Sequence, residues 1–194
     1  MSISSVYSAA LAVVLAATLT PWAQAQPKPA QLVPAGSEIS FTTRQMGVPV
    51  EGKFGKFSAN ISLDPKSPQT GQVAFNIDTG SARFGSAELD SEVPKTTWLN
   101  VGKFPQASFQ SSAIKAVGSG KFEVSGKLSI KGAVRDVVVP VQLTQSAGNS
   151  TATGSFTIKR LEFKVGEGEW ADTSLVANDV LVKFKLQLTG LGPL

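Results

Sequence analysis

The chain has 194 residues, 18 lysines and arginines against 14 aspartates and glutamates, and neither histidine nor cysteine. Without histidine it lacks the commonest general base and metal ligand, which excludes Ser-His-Asp and Cys-His catalysis. Without cysteine it forms no disulfide and no thiolate metal site. Its lysines are scattered singly, which disfavours nucleic-acid binding but leaves weak attraction to anionic lipid head groups open.

The N-terminal segment predicts export. The first 25 residues carry no charged side chain, and they contain an apolar run from Ala9 to Leu19 followed by Ala23-Gln24-Ala25. This is typical of a secretory signal peptide, residues 1–25, cut after Ala25; an uncleaved apolar anchor is the alternative. Export without cysteine favours a bacterial periplasm. The Pro-rich, polar stretch 26–35 predicts a flexible lead-in, and 36–190 has the size of one domain.

Alternation of apolar and polar residues predicts strands through most of this domain. Successive side chains of a strand point to opposite faces, so a run such as Val182 to Leu188 places one apolar face against a core. The same pattern gives eight strands: Glu38–Arg44, Val50–Leu63, Gln72–Thr79, Ala107–Val117, Lys121–Ile130, Asp136–Thr144, Gly154–Leu161 and Asp179–Leu188.

One stretch, Ser81 to Pro105, does not alternate. Ser86 is a plausible helix N-cap and Glu88 stabilises a first turn by its charge, so one or two short helices are predicted here, broken at Pro94. We expect this segment to cap or plug one end of the sheet.

The short connections in the second half favour antiparallel neighbours. The predicted class is therefore all-β, as a sandwich or as an eight-stranded up-and-down barrel, and closure into a barrel removes the exposed edges. Such a barrel is just wide enough to be filled by its own side chains or to hold one small ligand.

The apolar inner face is the first candidate for function. It predicts a site for a long apolar tail, although the pattern alone favours an ordinary core, since apolar inner faces occur in filled and hollow barrels alike. Its candidate members are Phe41, Phe54, Phe57, Phe75, Ile77, Phe109, Phe122, Phe156, Val182 and Phe184.

Five further residues are candidates for a pocket mouth or a ligand head group: Trp98, Trp170, Arg44, Arg83 and Arg160. Tryptophan combines a large apolar body with one polar donor, and a guanidinium can grip a phosphate. Packing of the tryptophans and surface or capping roles of the arginines are the alternatives.

The remaining polar motifs indicate no enzyme. Glu162, Glu167, Glu169 and Asp172 crowd one loop, but their spacing matches no calcium loop, and metal binding is not expected. The sequence contains no Gly-rich phosphate loop, no G-x-S-x-G and no H-E-x-x-H. Hydrolysis or isomerisation of a lipid by these carboxylates stays open as a hypothesis.

Several segments together resemble the YceI-like family of polyisoprenoid-binding proteins. They are Glu38-Ile-Ser-Phe, Val50-Glu-Gly-Lys-Phe-Gly-Lys-Phe, Lys103-Phe-Pro followed by Ala107-Ser-Phe-Gln-Ser, Phe122-Glu-Val-Ser-Gly-Lys-Leu-Ser-Ile-Lys-Gly, and Asn178-Asp-Val-Leu-Val-Lys-Phe-Lys-Leu. Their order and spacing cover nearly all of residues 32–188.

The resemblance implies an antiparallel lipocalin-like barrel with a helical segment between strands. It also implies a periplasmic protein, a monomer or homodimer without a resident cofactor, that sequesters or carries an amphipathic polyprenyl lipid such as an isoprenoid quinone. A membrane cytochrome b561 would then be a partner. Many members carry a histidine where this chain has Gly36 and, approximately, Gln45, so no histidine-dependent contact carries over. A filled barrel acting in stress response or interaction is the alternative to a carrier.

Overall fold

The structure, a computed structural model, describes residues 29–194 and consists mainly of one antiparallel sheet. Its strands are β1 (Gln31–Gln45), β2 (Val48–Phe54), β3 (Phe57–Ser62), β4 (Gln72–Asp78), β5 (Ala82–Arg83), β6 (Gln106–Gly118), β7 (Lys121–Ile130), β8 (Ala133–Ser146), β9 (Asn149–Lys159) and β10 (Asp179–Thr189). Their order in the sheet is β3-β4-β6-β7-β8-β9-β10-β1-β2-β5. The predicted all-β antiparallel class is confirmed.

The count of ten strands against the expected eight has a simple origin. The predicted strand Val50–Leu63 is bent at Gly55 and Lys56, so it is divided into β2 and β3. The Gly55 N–H leaves the ladder at this bend and donates to the Ser81 carbonyl at 3.1 Å. The additional strand β5 has only two residues.

Two strands, β1 and β9, begin at least five residues earlier than the sequence indicates. β1 starts at Gln31, inside the stretch 26–35 for which a flexible lead-in is predicted, and its register against β10 shifts between Val33 and Glu38. β9 starts at Asn149 rather than Gly154, since its first residues are small and polar and show no apolar alternation. The predicted signal peptide, residues 1–25, and its cut after Ala25 lie outside the described residues.

The non-alternating stretch forms one short helix, α1 (Ala87–Glu92), after Ser86. Turns follow from Val93 to Phe104, so the second of the one or two predicted helices does not form there. Short 3-10 turns occur at Pro68–Thr70, Thr79–Ser81, Arg160–Phe163 and Gly168–Ala171. Within residues 29–194, no helix is long and apolar enough to cross a membrane.

The sheet curls until its two ends approach each other. The Ala30 N–H, just before β1, donates to the Ile61 carbonyl of β3 at 2.7 Å, so the start of β1 pairs across the gap. Glycines permit this curvature. Because they have no side chain, aromatic rings from neighbouring strands can lie directly over them. A β-carbon added at Gly52, Gly126 or Gly154 would collide with the ring of Phe41, Phe109 or Phe184, respectively.

The interior of the barrel has two unlike halves. The half that contains both described chain ends is packed solid by a cluster that includes Ile61, Ile114, Phe122, Val124, Leu143, Ala152, Leu186 and Leu188. The half at the opposite end contains the β1–β2 and β7–β8 hairpins, α1 and the segment between β9 and β10, and it encloses a cavity.

Candidate functional site

A cavity of about 600 Å³ occupies the hollow half of the barrel. Its wall is mostly apolar and comes from β1, β2, β4, β6, β7, β9 and β10: Ile39, Phe41, Val50, Phe54, Ile77, Ala107, Leu128, Ile130, Phe156, Ile158, Val180 and Val182. Ile39 also belongs to the packed cluster, and it therefore marks the floor between the two halves.

Aromatic rings form one side of this wall. Phe41 lies 5.1 Å from Phe54 and 5.2 Å from Phe84, measured between ring centroids, with the second pair edge to face. Such tilted pairs hold the rings in defined orientations. Phe84 follows β5 directly and lies outside the regular alternation. It completes the aromatic surface to which Phe41 of β1 and Phe54 of β2 belong.

Two irregular segments cover the end of the cavity. The first, residues 84–99, contributes Leu89 and Val93 from α1 and its C-cap, together with Trp98 and Leu99. The second, residues 160–176, contributes Phe163, Val165, Trp170 and Val176 among others. Phe163 is 1% exposed, and Val176 is 5% exposed. The same two segments also bring the charged residues Glu88, Glu92, Lys95, Arg160 and Glu169 to the lining, so the cover is more polar than the wall.

Arg160 holds the second covering segment together. Arg160 is 2% exposed. Its guanidinium donates from Nε to Ala177, from Nη1 to Val165 and Gly166, and from Nη2 to Trp170 and Val176, at 2.6–3.1 Å. All five acceptors are backbone carbonyls, so every N–H is used and no carboxylate neutralises the charge. Burial lowers the pKa of this guanidinium.

Lys131 joins the two covering segments. Its ammonium donates to the Thr97 carbonyl at 3.2 Å, to the Lys164 carbonyl at 2.7 Å and to Glu167 Oε2 at 2.8 Å. Thr97 also accepts from the backbone N–H groups of Gly166 and Glu167. The Lys131 hydrogen bond lowers the pKa of the Glu167 carboxyl. From the sequence, Lys131 indicates only a hairpin turn, because nothing in the local pattern shows that its amine turns inward.

Two tryptophans meet at the covered end. The rings of Trp98 and Trp170 lie 5.5 Å apart, and the Arg160 guanidinium lies 5.9 Å from the Trp98 ring. Trp98 Nε1 is buried and has no hydrogen-bond partner; it is the one such side-chain atom found in residues 29–194. Thr79, another polar residue of the lining, is satisfied, because its hydroxyl donates to the Phe104 carbonyl at 2.8 Å.

The structure brings half of the ten tail candidates to the cavity and leaves the others elsewhere. Phe41, Phe54, Ile77, Phe156 and Val182 line it. Phe57, Phe75, Phe109, Phe122 and Phe184 lie instead in or against the packed cluster. Alternation could not separate the two groups, because both face the barrel interior.

The head-group candidates divide in a similar way. Trp98, Arg160 and Trp170 line the cavity. Arg44 and Arg83 are exposed and bond to nearby carbonyls, Arg44 to Gly47 at 3.0 Å and Arg83 to Gly80 at 2.9 Å. Neither of these two contributes to the cavity wall.

The loop carboxylates do not converge. Only Glu169 of the four lines the cavity. Glu162 lies 3.9 Å from Arg135, and Glu167 is bound by Lys131. Hydrogen bonds from Ser174 lower the pKa of Asp172. Among residues 29–194 the structure gathers no group of three carboxylates that could hold a metal ion.

The comparisons with known proteins agree with this architecture. The model of the YceI-like domain matches residues 31–188. The crystal structure of BcnA from Burkholderia cenocepacia is 41% identical, superposes with a TM-score of 0.79, and covers 81% of this chain and 99% of its own. A polyisoprenoid-binding domain from Saccharophagus degradans shares the fold, with a TM-score of 0.64 and 20% identity over 83% of this chain and 98% of its own.

A UPF0312 protein of Azotobacter vinelandii is 34% identical over 88 residues, which are 45% of this chain and 46% of that protein. The chain thus spans about half the length of that relative. The family match, by contrast, extends over nearly the whole described barrel, from the first residue of β1 to the penultimate residue of β10. The chain belongs to the YceI-like family.

Proposed function

We propose that this protein binds an amphipathic polyisoprenoid lipid, with the apolar tail in the cavity and the polar head at the covered end. The observation that carries the proposal is the apolar cavity of about 600 Å³, which lies within the size range of small-molecule sites. Membership of the YceI-like family and the likeness to the polyisoprenoid-binding domain of Saccharophagus degradans support a polyprenyl ligand. Of the loop 162–172 only Glu169 lines the cavity, and the other lining carboxylates, Glu88 and Glu92, belong to α1. The hydrolase alternative in its stated form, with a carboxylate pair from that loop, is therefore disfavoured.

The volume limits the length of tail that the cavity can enclose. If a prenyl carbon occupies about the 30 Å³ of a water molecule, the cavity holds about 20 carbons, or about four isoprene units. Burying them contributes about 16 kcal/mol at about 0.8 kcal/mol per carbon. Association costs about 4–15 kcal/mol, which leaves a net binding free energy of about 1–12 kcal/mol from tail burial; the middle of this range corresponds to a Kd of about 10 μM.

Native mass spectrometry of delipidated protein tests the proposal. We expect uptake of prenyl alcohols whose affinity rises with tail length up to about four isoprene units and then levels, because the packed half stops the tail. Val182→Trp fills the cavity and should abolish uptake, whereas Val134→Trp places the same ring at an exposed outer position and should not. No uptake by folded wild-type protein would overturn the proposal and favour the filled-barrel alternative.

We further propose that the protein works in the periplasm after removal of residues 1–25, and that it delivers or collects its lipid at a membrane protein of the cytochrome b561 type. N-terminal sequencing of the exported protein checks the first part, since a start at Gln26 is expected. Crosslinking in the native membrane, followed by mass spectrometry, checks the second. An isoprenoid quinone extracted with the native protein would support a quinone as the ligand.

A further inference from the structure

Three exposed apolar residues meet beside the covered end of the cavity. Met46 is 71% exposed, the highest value among the large apolar residues of 29–194. Val48, at 63%, begins β2 on the other side of the same turn, and Leu175, at 39%, lies in the second covering segment. The Met46 N–H donates to the Leu175 carbonyl at 2.8 Å, so the two turns are joined. We call Met46, Val48 and Leu175 the apolar tip.

The apolar tip is attached directly to the wall of the cavity. Gln45 and Val176 form an antiparallel bridge between the two turns, and both residues line the cavity. Met46 and Leu175 are their neighbours in the chain and are exposed to solvent. The tip and the rim of the cavity are therefore parts of one hydrogen-bonded unit.

Neither packing nor backbone conformation accounts for a methionine at position 46. Met46 and Gly47 are the two central residues of the β1–β2 turn, with φ of 47° and 81°. Hairpin turns with positive φ at both positions favour Asn, Asp or Gly, which adopt this conformation more readily than other residues. A long apolar side chain loses that preference and also faces water. Burial against another molecule would account for its presence.

The small size of the tip indicates what kind of molecule this is. Stable protein interfaces use about 20–30 residues on each side, and three side chains on two joined turns are far fewer. The stretches that carry the tip, residues 45–50 and 173–178, contain no charged side chain. The charged residues that flank these stretches are Arg44, Glu51, Asp172 and Asp179. An uncharged apolar projection with flanks that are not basic fits burial among lipid acyl chains better than attraction to anionic head groups.

We propose that the apolar tip inserts into the surface of a lipid bilayer and holds the covered end of the cavity against it. This inference rests on the proposed function for its purpose, since a lipid that enters the cavity has to leave a membrane. The tip buries less apolar area than one myristoyl chain, which itself binds membranes weakly and reversibly. Docking is therefore transient, as it has to be for a protein that leaves with its lipid.

Two sets of substitutions test the tip. The tip variant carries Met46→Asn, Val48→Thr and Leu175→Gln. It should be as stable as the wild type, because asparagine suits the turn and the other two side chains are exposed. The control variant carries Val134→Thr and Val138→Thr, at two exposed valines of β8.

Binding of delipidated protein to immobilised vesicles measures docking by surface plasmon resonance. The vesicles contain phosphatidylcholine, with or without phosphatidylglycerol. We expect the wild type and the control variant to bind both kinds, and the tip variant to bind at least about tenfold more weakly. Val182→Trp, which fills the cavity, should still dock.

Three results would overturn the proposal. The first is equal binding by the tip variant and the control variant. The second is binding that requires phosphatidylglycerol and survives the tip substitutions, which would assign adsorption to the scattered lysines. The third is wild-type protein that binds neither kind of vesicle, including the case in which a photo-crosslinker at position 48 reaches a membrane protein or a second copy of this chain.

A transfer measurement separates docking from the proposed function. Delipidated protein is mixed with phosphatidylcholine vesicles that contain geranylgeraniol, and uptake is timed by native mass spectrometry. The tip variant should load at least about tenfold more slowly than the control variant, yet bind geranylgeraniol added without vesicles as tightly as the wild type. Equal loading rates would overturn the role of the tip. Wild-type protein that docks but takes up no geranylgeraniol from either source would overturn the proposed function and leave docking intact.

Discussion

Replacing Arg160 should open the covering segment between β9 and β10. One guanidinium donates to carbonyls spread from Val165 to Ala177, so it fixes three turns of this segment relative to one another. Arg160→Met retains much of the aliphatic bulk and removes every donor. The five carbonyls would then have to find water at a site where the arginine is only 2% exposed.

The size of the effect follows from those bonds. A buried acceptor left unpaired costs about 1–3 kcal/mol, and such terms are not additive. The charge of Arg160 is itself desolvated, which offsets part of the gain from its hydrogen bonds. We therefore expect Arg160→Met to lower the free energy of unfolding by about 3–5 kcal/mol. For a domain of this size, that corresponds to a decrease in Tm of about 6–20 °C.

Urea unfolding followed by tryptophan fluorescence measures this change, because Trp98 and Trp170 report on the covered end. Arg160→Lys keeps the charge but offers three donors to five carbonyls, so its loss should be about half as large. The matched control is Arg135→Met, at an exposed arginine 3.9 Å from Glu162, with an expected change below about 0.5 kcal/mol. If Arg160→Met unfolds within about 1 kcal/mol of the wild type, Arg160 does not organise the cover as argued.

Two further predictions concern the wall and the cover. Gly154→Ala places a β-carbon against the Pro140 carbonyl and should lower the free energy of urea unfolding by about 3 kcal/mol. The control is Gly102→Ala, which has no atom within 4 Å of the added carbon and should leave this free energy nearly unchanged. Equal stability of the two variants would contradict the close approach at Gly154. The Lys131 hydrogen bond holds the pKa of Glu167 below its ordinary value of 4.5, so its stabilisation is present above that pH and is lost as the pH falls through the lower folded pKa. Glu167→Gln should therefore flatten the acid limb of stability measured against pH, and an unchanged limb would show that this pair contributes nothing.

Much of the sheet could be predicted because its signal is local. The strand β7 begins and ends at the predicted residues, and the last strand is only one residue longer than expected. β7 alternates along its length and β10 alternates from Val182 onward. β9 begins before the predicted residue because Asn149 to Thr153 are small or polar and give no alternation. The glycines indicate the bend at Gly55, but they do not show that it divides one strand into two.

Only part of the site could be predicted from the sequence. Trp98, Trp170 and Arg160 are conspicuous by residue type and do line the cavity. Lys131 is not, because its role depends on an amine that reaches carbonyls more than 30 residues away in the chain. The use of all five Arg160 donors by the backbone could not be predicted either, since the acceptors lie in a segment without a periodic pattern.

The amino-acid sequence determined most of the strands and their apolar faces, because a period of two is a property of neighbouring residues. It also excluded histidine- and cysteine-dependent chemistry by composition alone. Only the tertiary structure decided which half of that inner face is packed and which encloses a cavity. Phe75 and Phe156 have the same local pattern, yet one packs against the core and the other lines the cavity. The physical reason is that the cavity lies under two distant segments, residues 84–99 and 160–176, whose position depends on the hydrogen bonds of Lys131 and Arg160.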